Sequence, residues 1–111
     1  MGNISKKSIV VLPFPFSDLT GVKKRPALVI AEPMSDDVML CQITSVNRED
    51  GYEVHLDPND LDEGYLRQES LIRTNKIFTG TMDIIDHEIG KITDDKMNEV
   101  EDKIVGIIKG S

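Results

Sequence analysis

A basic tripeptide, Lys23 to Arg25, stands directly before Pro26 and is the part of this sequence best suited to bind an anion. Apolar runs at 9–12 and 27–30 flank the loop that ends in these cations, and both runs have the composition of short β-strands. The proline restricts the backbone at the entry to the second strand, so the loop would present its cations as an anion clamp. A solvated turn is the alternative interpretation of the same residues.

A second group of polar residues falls on predicted strands. Residues 37–46 predict a strand in which Gln42 and Thr44 project from the same face, because side chains alternate. An amide and a hydroxyl placed in this way either line a substrate groove or form a solvent-facing polar pair. Arg73 lies in another predicted strand, 70–77, and its apolar setting requires either a carboxylate partner or a bound phosphate.

The cysteine, the histidines and the acidic run of this sequence are best explained by structural roles. Cys41 is the single cysteine and lies in an apolar run, so we expect a reduced core thiol. His55 is interpreted as a surface histidine, with a catalytic role as the alternative for which the sequence offers no partner, and His87 is interpreted as a second surface residue. The acidic run 57–63 lacks an oxygen ligand and a glycine where a calcium loop needs them, which leaves a solvated loop with a short helical turn. The sequence therefore predicts no metal site and no cofactor.

Composition bounds the class of protein. The 111 residues predict a single domain over 1–111, and the 39% hydrophobic and 30% charged content is typical of a folded globular chain. Tryptophan is absent and aromatic residues make up 5%, so the core must consist mainly of aliphatic side chains. The sequence shows neither a signal peptide nor an apolar stretch of membrane length, and we expect a cytoplasmic protein that does not contact a membrane.

The charge distribution is uneven. A net charge of -7 argues against a general nucleic-acid binder, whose affinity depends on Lys and Arg neutralising phosphates. Residues 1–30, however, carry five cations against one carboxylate, which leaves -11 for residues 31–111. We therefore expect a cationic face on an otherwise acidic body.

Strand patterns dominate the chain, and a helix ends it. Thr93 and Gly110 have the residue types of a helix N-cap and C-cap, and Met97, Val100, Ile104 and Ile107 or Ile108 form one apolar stripe between them. The fold class is therefore mainly β, a small SH3-like barrel with a C-terminal helix. The predicted strands are 8–12, 25–31, 37–46, 52–56 and 70–77, with a further short strand suggested within 79–85.

The stretch PFPFSDLTGVKKRPALVI, residues 13–30, resembles the N-terminal signature of the PemK/MazF family of toxins from type II toxin-antitoxin pairs. Residues 38–46 and 70–79 resemble later strands of that family, and the terminal helix matches in position and polarity, so the resemblance covers nearly the whole chain. It implies the CcdB/PemK-like form of the small barrel, and a homodimer. It also implies a cognate antitoxin as partner and, through the antitoxin, operator DNA.

The resemblance further implies a sequence-specific, metal-independent endoribonuclease that cleaves single-stranded mRNA by attack of the ribose 2′-hydroxyl and thereby inhibits growth. Arg25 matches the arginine of the family's Arg-Pro motif and would stabilise the phosphorane, while Thr44 matches a hydroxyl residue that orients the phosphate. The residues expected to bind RNA are Ser17, Asp18, Thr20, Lys23, Lys24, Gln42, Ser45, Arg73 and Asn75.

The chain departs from the family pattern at two positions. Thr20 stands where relatives often carry a glutamate, and Asn75 stands where some relatives carry an acid that assists proton transfer. An amide cannot act as a general base, so the base and the acid are not assigned by sequence. Two non-catalytic alternatives follow: a CcdB-like gyrase poison that binds protein, and a DNA-binding autoregulatory partner of an antitoxin.

Overall fold

The computed structural model describes residues 4–14, 23–34, 36–47 and 49–110. The elements are β1 (Ser8–Pro13), β2 (Lys24–Met34), β3 (Asp37–Thr44), β4 (Glu53–Leu56), β5 (Leu61–Gly64), β6 (Ser70–Thr81), β7 (His87–Ile92) and α1 (Asp94–Lys109). Over the described residues these seven strands form one antiparallel sheet, in the spatial order β4-β6-β3-β2-β1-β7-β5. Short 3₁₀ turns at Pro58–Asp60 and Met82–Ile84 precede β5 and β7.

Each face of the sheet carries its own apolar core, because side chains alternate along every strand. One core lies against α1 and is built from Ile9, Leu28, Cys41, Ile43, Val54, Leu56, Ile72, Ile92, Met97 and Val100. The other is built from Val10, Leu12, Phe14, Ala27, Val29, Val38 and Leu40. Val38 and Leu40 thus lie on one face of β3 and Cys41 and Ile43 on the other, which confirms the predicted division of that strand.

Phe14 closes one end of the second core. Its side chain is 3% exposed and packs edge-to-face on Phe78, with ring centroids 5.0 Å apart.

The C-terminal helix confirms its predicted caps. The Thr93 hydroxyl accepts the backbone N–H of Lys96 at 3.1 Å, and Gly110 ends α1 in the left-handed conformation at φ 77°. Met97 and Val100 are buried, and Ile104 packs beside them. Ile107 completes the stripe because it is half-buried, whereas Ile108 is 77% exposed.

The expectation of about five strands was too low, since β5 and β7 were not predicted. The acidic run did contain the expected helical turn, Pro58–Asp60, but its last residues pair with β7 as an edge strand. That pairing depends on two glycines: a Cβ on Gly64 would lie 2.1 Å from the Ile89 carbonyl oxygen, and one on Gly90 would lie 2.6 Å from that of Glu63. Close backbone approach between residues distant in sequence leaves no local pattern.

Two strand ends also differ from expectation. β3 stops at Thr44, because the Thr44 hydroxyl accepts the N–H of Val46 at 3.1 Å and closes a turn. β6 continues to Thr81, so the short strand suggested within 79–85 is the end of β6 followed by a 3₁₀ turn. No helix in the described part of the chain has both the length and the apolar composition needed to cross a bilayer.

Candidate active site

The start of β2, the end of β3 and the first half of β6 bring predicted site residues together. The β2–β3 register pairs Ala27 with Gln42, and its continuation by two residues sets Arg25 opposite Thr44. On the other side of β3, Gln42 pairs directly with Arg73. Because paired residues project from the same face of a sheet, these side chains share one face.

A cleft of about 210 Å³ opens on this face, lined by Gln42, Thr44, Arg73 and Lys76. Every lining side chain offers a hydrogen-bond donor, and two of them are cationic. The Thr44 hydroxyl oxygen already accepts the N–H of Val46, which orients it and leaves its proton for donation outward. The chemistry of this wall is that of a site for an anion with several oxygen atoms.

Lys76 enters the cleft because β6 departs from β3 for three residues. Cys41 pairs with Ile77 and Gln42 with Arg73, so 74–76 have no counterpart on β3. Thr74 holds this bulge in place: its hydroxyl donates to the Tyr52 carbonyl oxygen at 2.6 Å and its backbone N–H donates to the same atom at 3.2 Å. Sequence reasoning did not select Lys76, because a bulge of this kind is set by pairing with another strand.

Arg73 is buried, with a side chain 8% exposed, and lies against two carboxyl groups. Its Nη2 donates to Oδ2 of Asp50 at 2.9 Å, and its Nη1 lies 3.7 Å from Oε2 of Glu53. The predicted carboxylate partner of Arg73 is therefore confirmed, while its contact with phosphate stays a prediction for a residue that lines the cleft. Within the described residues its Nε and Nη1 have no hydrogen-bond partner, and they add positive potential to the cleft wall.

Asp50 is fixed by its own loop. Its Oδ1 accepts the backbone N–H of Tyr52 at 3.1 Å, while Oδ2 accepts the Arg73 guanidinium. The Tyr52 hydrogen bond first, and the charge of Arg73 second, hold the pKa of Asp50 below its usual value, against the effect of burial. Asp50 is therefore a carboxylate at neutral pH, and it offsets part of the positive charge of Arg73.

The three cations at the start of β2 are placed differently. Arg25 is exposed and opposes Leu12 on β1, whereas Lys24 opposes Pro13 and therefore projects from the other face. The Lys24 ammonium donates to Oδ1 of Asp86 at 2.8 Å. In the part of the chain that the structure describes, the Arg25 guanidinium has neither an ion-pair nor a hydrogen-bond partner.

Lys23 is exposed, and its carbonyl oxygen accepts the Phe14 N–H at 3.0 Å. The carboxylate that holds Lys24 is shared, because Oδ2 of Asp86 also lies 2.8 Å from Nδ1 of His87. The hydrogen bond from Lys24 is the main reason why the pKa of Asp86 lies below its usual value.

Of the other predicted site residues, Ser45 is exposed in the turn after β3, and Asn75 is exposed at the bulge of β6. Neither lines the cleft. Ser17, Asp18 and Thr20 lie outside the described residues. His55 is exposed, as expected, and stands on β4 opposite Leu71.

Cys41 is buried, as predicted, and burial raises the pKa of its thiol to about 12, which keeps it protonated and unreactive. Among the described residues no group of three or more His, Cys, Asp or Glu side chains is arranged to hold a metal ion.

Comparison with known structures places this fold. A Deinococcus radiodurans MazE-MazF complex matches with a TM-score of 0.76 at 18% identity, covering 97% of both chains. The Mycobacterium tuberculosis toxin MazF-mt6 matches with a TM-score of 0.72 at 20% identity, covering 92% of this chain and 96% of its own. An endoribonuclease in complex with its cognate antitoxin, from Mycobacterial species, matches with a TM-score of 0.74 at 16% identity, covering 96% of each chain.

At these identities the structural matches establish the fold, and they confirm the predicted barrel with its C-terminal helix. No curated protein matches the sequence. The model of the PemK-like, MazF-like toxins of type II toxin-antitoxin systems matches residues 6–108, nearly the whole chain. This chain therefore belongs to the PemK/MazF toxin family.

Proposed function

We propose that this chain is a sequence-specific endoribonuclease that cleaves single-stranded RNA without a metal ion and so inhibits growth. The observation that carries the proposal is the cleft in which Gln42, Thr44, Arg73 and Lys76 meet, with Arg25 at the adjacent strand end. Donors and cations converge there from three strands, which is the arrangement that a phosphodiester in an RNA chain requires.

The proposed reaction is an internal transesterification. The ribose 2′-hydroxyl gives its proton to water as its oxygen forms a bond to phosphorus. The bond from phosphorus to the 5′-oxygen breaks and that oxygen takes a proton from water, which gives a 2′,3′-cyclic phosphate and a 5′-hydroxyl. Negative charge builds on the non-bridging oxygens in the transition state, and the Arg25 guanidinium stabilises it. The Thr44 hydroxyl, whose oxygen accepts the N–H of Val46, donates a hydrogen bond to the same phosphate. Arg73 and Gln42 bind the flanking RNA.

The partners follow from the same proposal. The cognate antitoxin of this chain would bind over the cations of residues 23–25 and close the cleft, and the pair would reach operator DNA through the antitoxin. The MazE-MazF pairs of Deinococcus radiodurans give this proposal its precedent. A homodimer in the cytoplasm would extend the RNA groove across two barrels.

The test is incubation of the purified protein with a long RNA, with and without EDTA. We expect cleavage at a short recurring sequence, products that end in 2′,3′-cyclic phosphate, and the same rate after chelation. Intact RNA would favour a non-catalytic toxin of the gyrase-poison type or a DNA-binding partner of an antitoxin. Cleavage that stops on chelation would contradict the mechanism.

A further inference from the structure

The two cations of the cleft differ in how much charge they can offer to a ligand. Arg73 is 8% exposed in its side chain, and both Asp50 and Glu53 lie within 4 Å of its guanidinium, so these carboxylates offset part of its charge. Lys76 is exposed, and its ammonium has no partner among the described residues. Of these two side chains, Lys76 is therefore the one that offers the greater positive charge to an anion.

The position of Lys76 is built into the fold. The bulge at 74–76 separates two well-paired parts of β6, and Thr74 anchors it through two hydrogen bonds to the Tyr52 carbonyl oxygen. Thr74 is 1% exposed, so the backbone that carries Lys76 is fixed two residues away. The side chain consequently starts from a defined point and ends in the cleft beside Thr44.

We propose that Lys76 is a further catalytic residue, which binds the phosphate at the cleavage site together with Thr44 and stabilises the charge that develops on its non-bridging oxygens. The inference rests on the proposed ribonuclease function, and it identifies Lys76 as the residue that places a positive charge in the cleft. Lys76 acts as a fixed hydrogen-bond donor and point charge. Arg73 lines the same cleft and, as proposed above, binds the flanking RNA.

The experiment compares Lys76→Ala and Lys76→Arg with the wild type, using a short RNA that carries one cleavage site and enough protein to bind all of it. Lys76→Ala should slow cleavage of bound RNA on the order of tenfold to a hundredfold, as loss of a charge-stabilising donor does. Lys76→Arg should cleave several times faster than Lys76→Ala because it restores the charge. The association constant for RNA should also depend less steeply on salt in Lys76→Ala. The slope of its logarithm against the logarithm of salt concentration should be smaller in magnitude by about 0.7, the value for one phosphate contact on a single strand.

Lys103→Ala is the matched control, because Lys103 is an exposed lysine on α1 that does not line the cleft. Cleavage of bound RNA by Lys76→Ala at the rate of this control would overturn the inference, and so would equally slow cleavage by Lys76→Ala and Lys76→Arg. RNA that even the wild type leaves intact would instead overturn the proposed function. Thermal unfolding of all variants should match the wild type, since both lysines are exposed.

Discussion

Strands β3 and β6 pair on both sides of the bulge at 74–76, but the face they share differs between its two ends. At one end Val38 and Leu40 oppose Gly80 and Phe78, and the face is closed and apolar. At the other end Gln42 opposes Arg73, and the face opens into the cleft. The bulge at 74–76 lies between the two ends.

The difference shows how one sheet face can provide both stability and a binding site. Where β6 keeps its register with β3, Val38 and Leu40 are buried and Phe78 packs against their core. Where the register breaks, Thr74 on β6 is hydrogen-bonded to Tyr52, and the cleft that Lys76 lines opens beside β3. Substitutions at the apolar end should therefore change stability, and substitutions at the polar end should change activity.

The largest expected effect is on folding, at the apolar end. Leu40→Ala removes a side chain with no exposed surface that packs in the second core, so it should lower the free energy of unfolding by about 2–5 kcal/mol. Urea denaturation measures this loss. At low temperature, where the variant is folded, its cleavage rate should stay near that of the wild type, and a selective loss of activity in folded protein would contradict the separation of the two ends.

Arg25→Ala should have the converse effect, reducing cleavage on the order of a hundredfold or more with little change in urea denaturation. Arg25→Lys should not restore full activity, because the two-pronged geometry of the guanidinium is lost. Lys24→Ala is the control from the adjacent position, since Lys24 projects from the other face and pairs with Asp86. If both alanine variants lose activity equally, the assignment by sheet face is wrong.

Thr74→Val tests the bulge itself. The hydroxyl hydrogen bond to the Tyr52 carbonyl oxygen disappears while the backbone N–H bond to that atom stays, so the free energy of unfolding should fall by about 1 kcal/mol. Cleavage should slow as well, because the backbone before Lys76 is less firmly held. Thr79→Val, an exposed threonine on the same strand, is the control and should change neither quantity. Normal cleavage by Thr74→Val would show that the bulge is held by other contacts.

The smallest expected effect is the pH dependence of the contribution that Asp50 makes to stability. The pKa of Asp50 is lowered in the folded protein, so its contribution to stability is present above its ordinary pKa of 3.8 and is lost as the pH falls through the folded value. Asp50→Asn should therefore be less stable than the wild type at neutral pH, and the difference should shrink in acid. Urea midpoints measured from pH 7 down to pH 3 check this, and a difference that stays constant with pH would contradict it.

Patterns of residues close in sequence were sufficient to predict much of this structure. Alternation placed Gln42 and Thr44 on one face of β3, and the residue types at Thr93 and Gly110 marked both ends of α1. The motif around Arg25 and Pro26 indicated the family, which the match over residues 6–108 confirmed. These features depend on residues that are close in sequence, so the sequence by itself determined them.

Tertiary structure decided the rest, because the deciding contacts join residues far apart in the chain. The approach of Gly64 to Gly90 lets β5 pair with β7 at the edge of the sheet. The ion pair with Asp50, 23 positions away, offset the charge of Arg73. The bond from Thr74 to Tyr52 set the bulge that turns Lys76 into the cleft. A sequence shows which side chains carry charge, but only the packing of strands determines which charges are neutralised and which face a substrate.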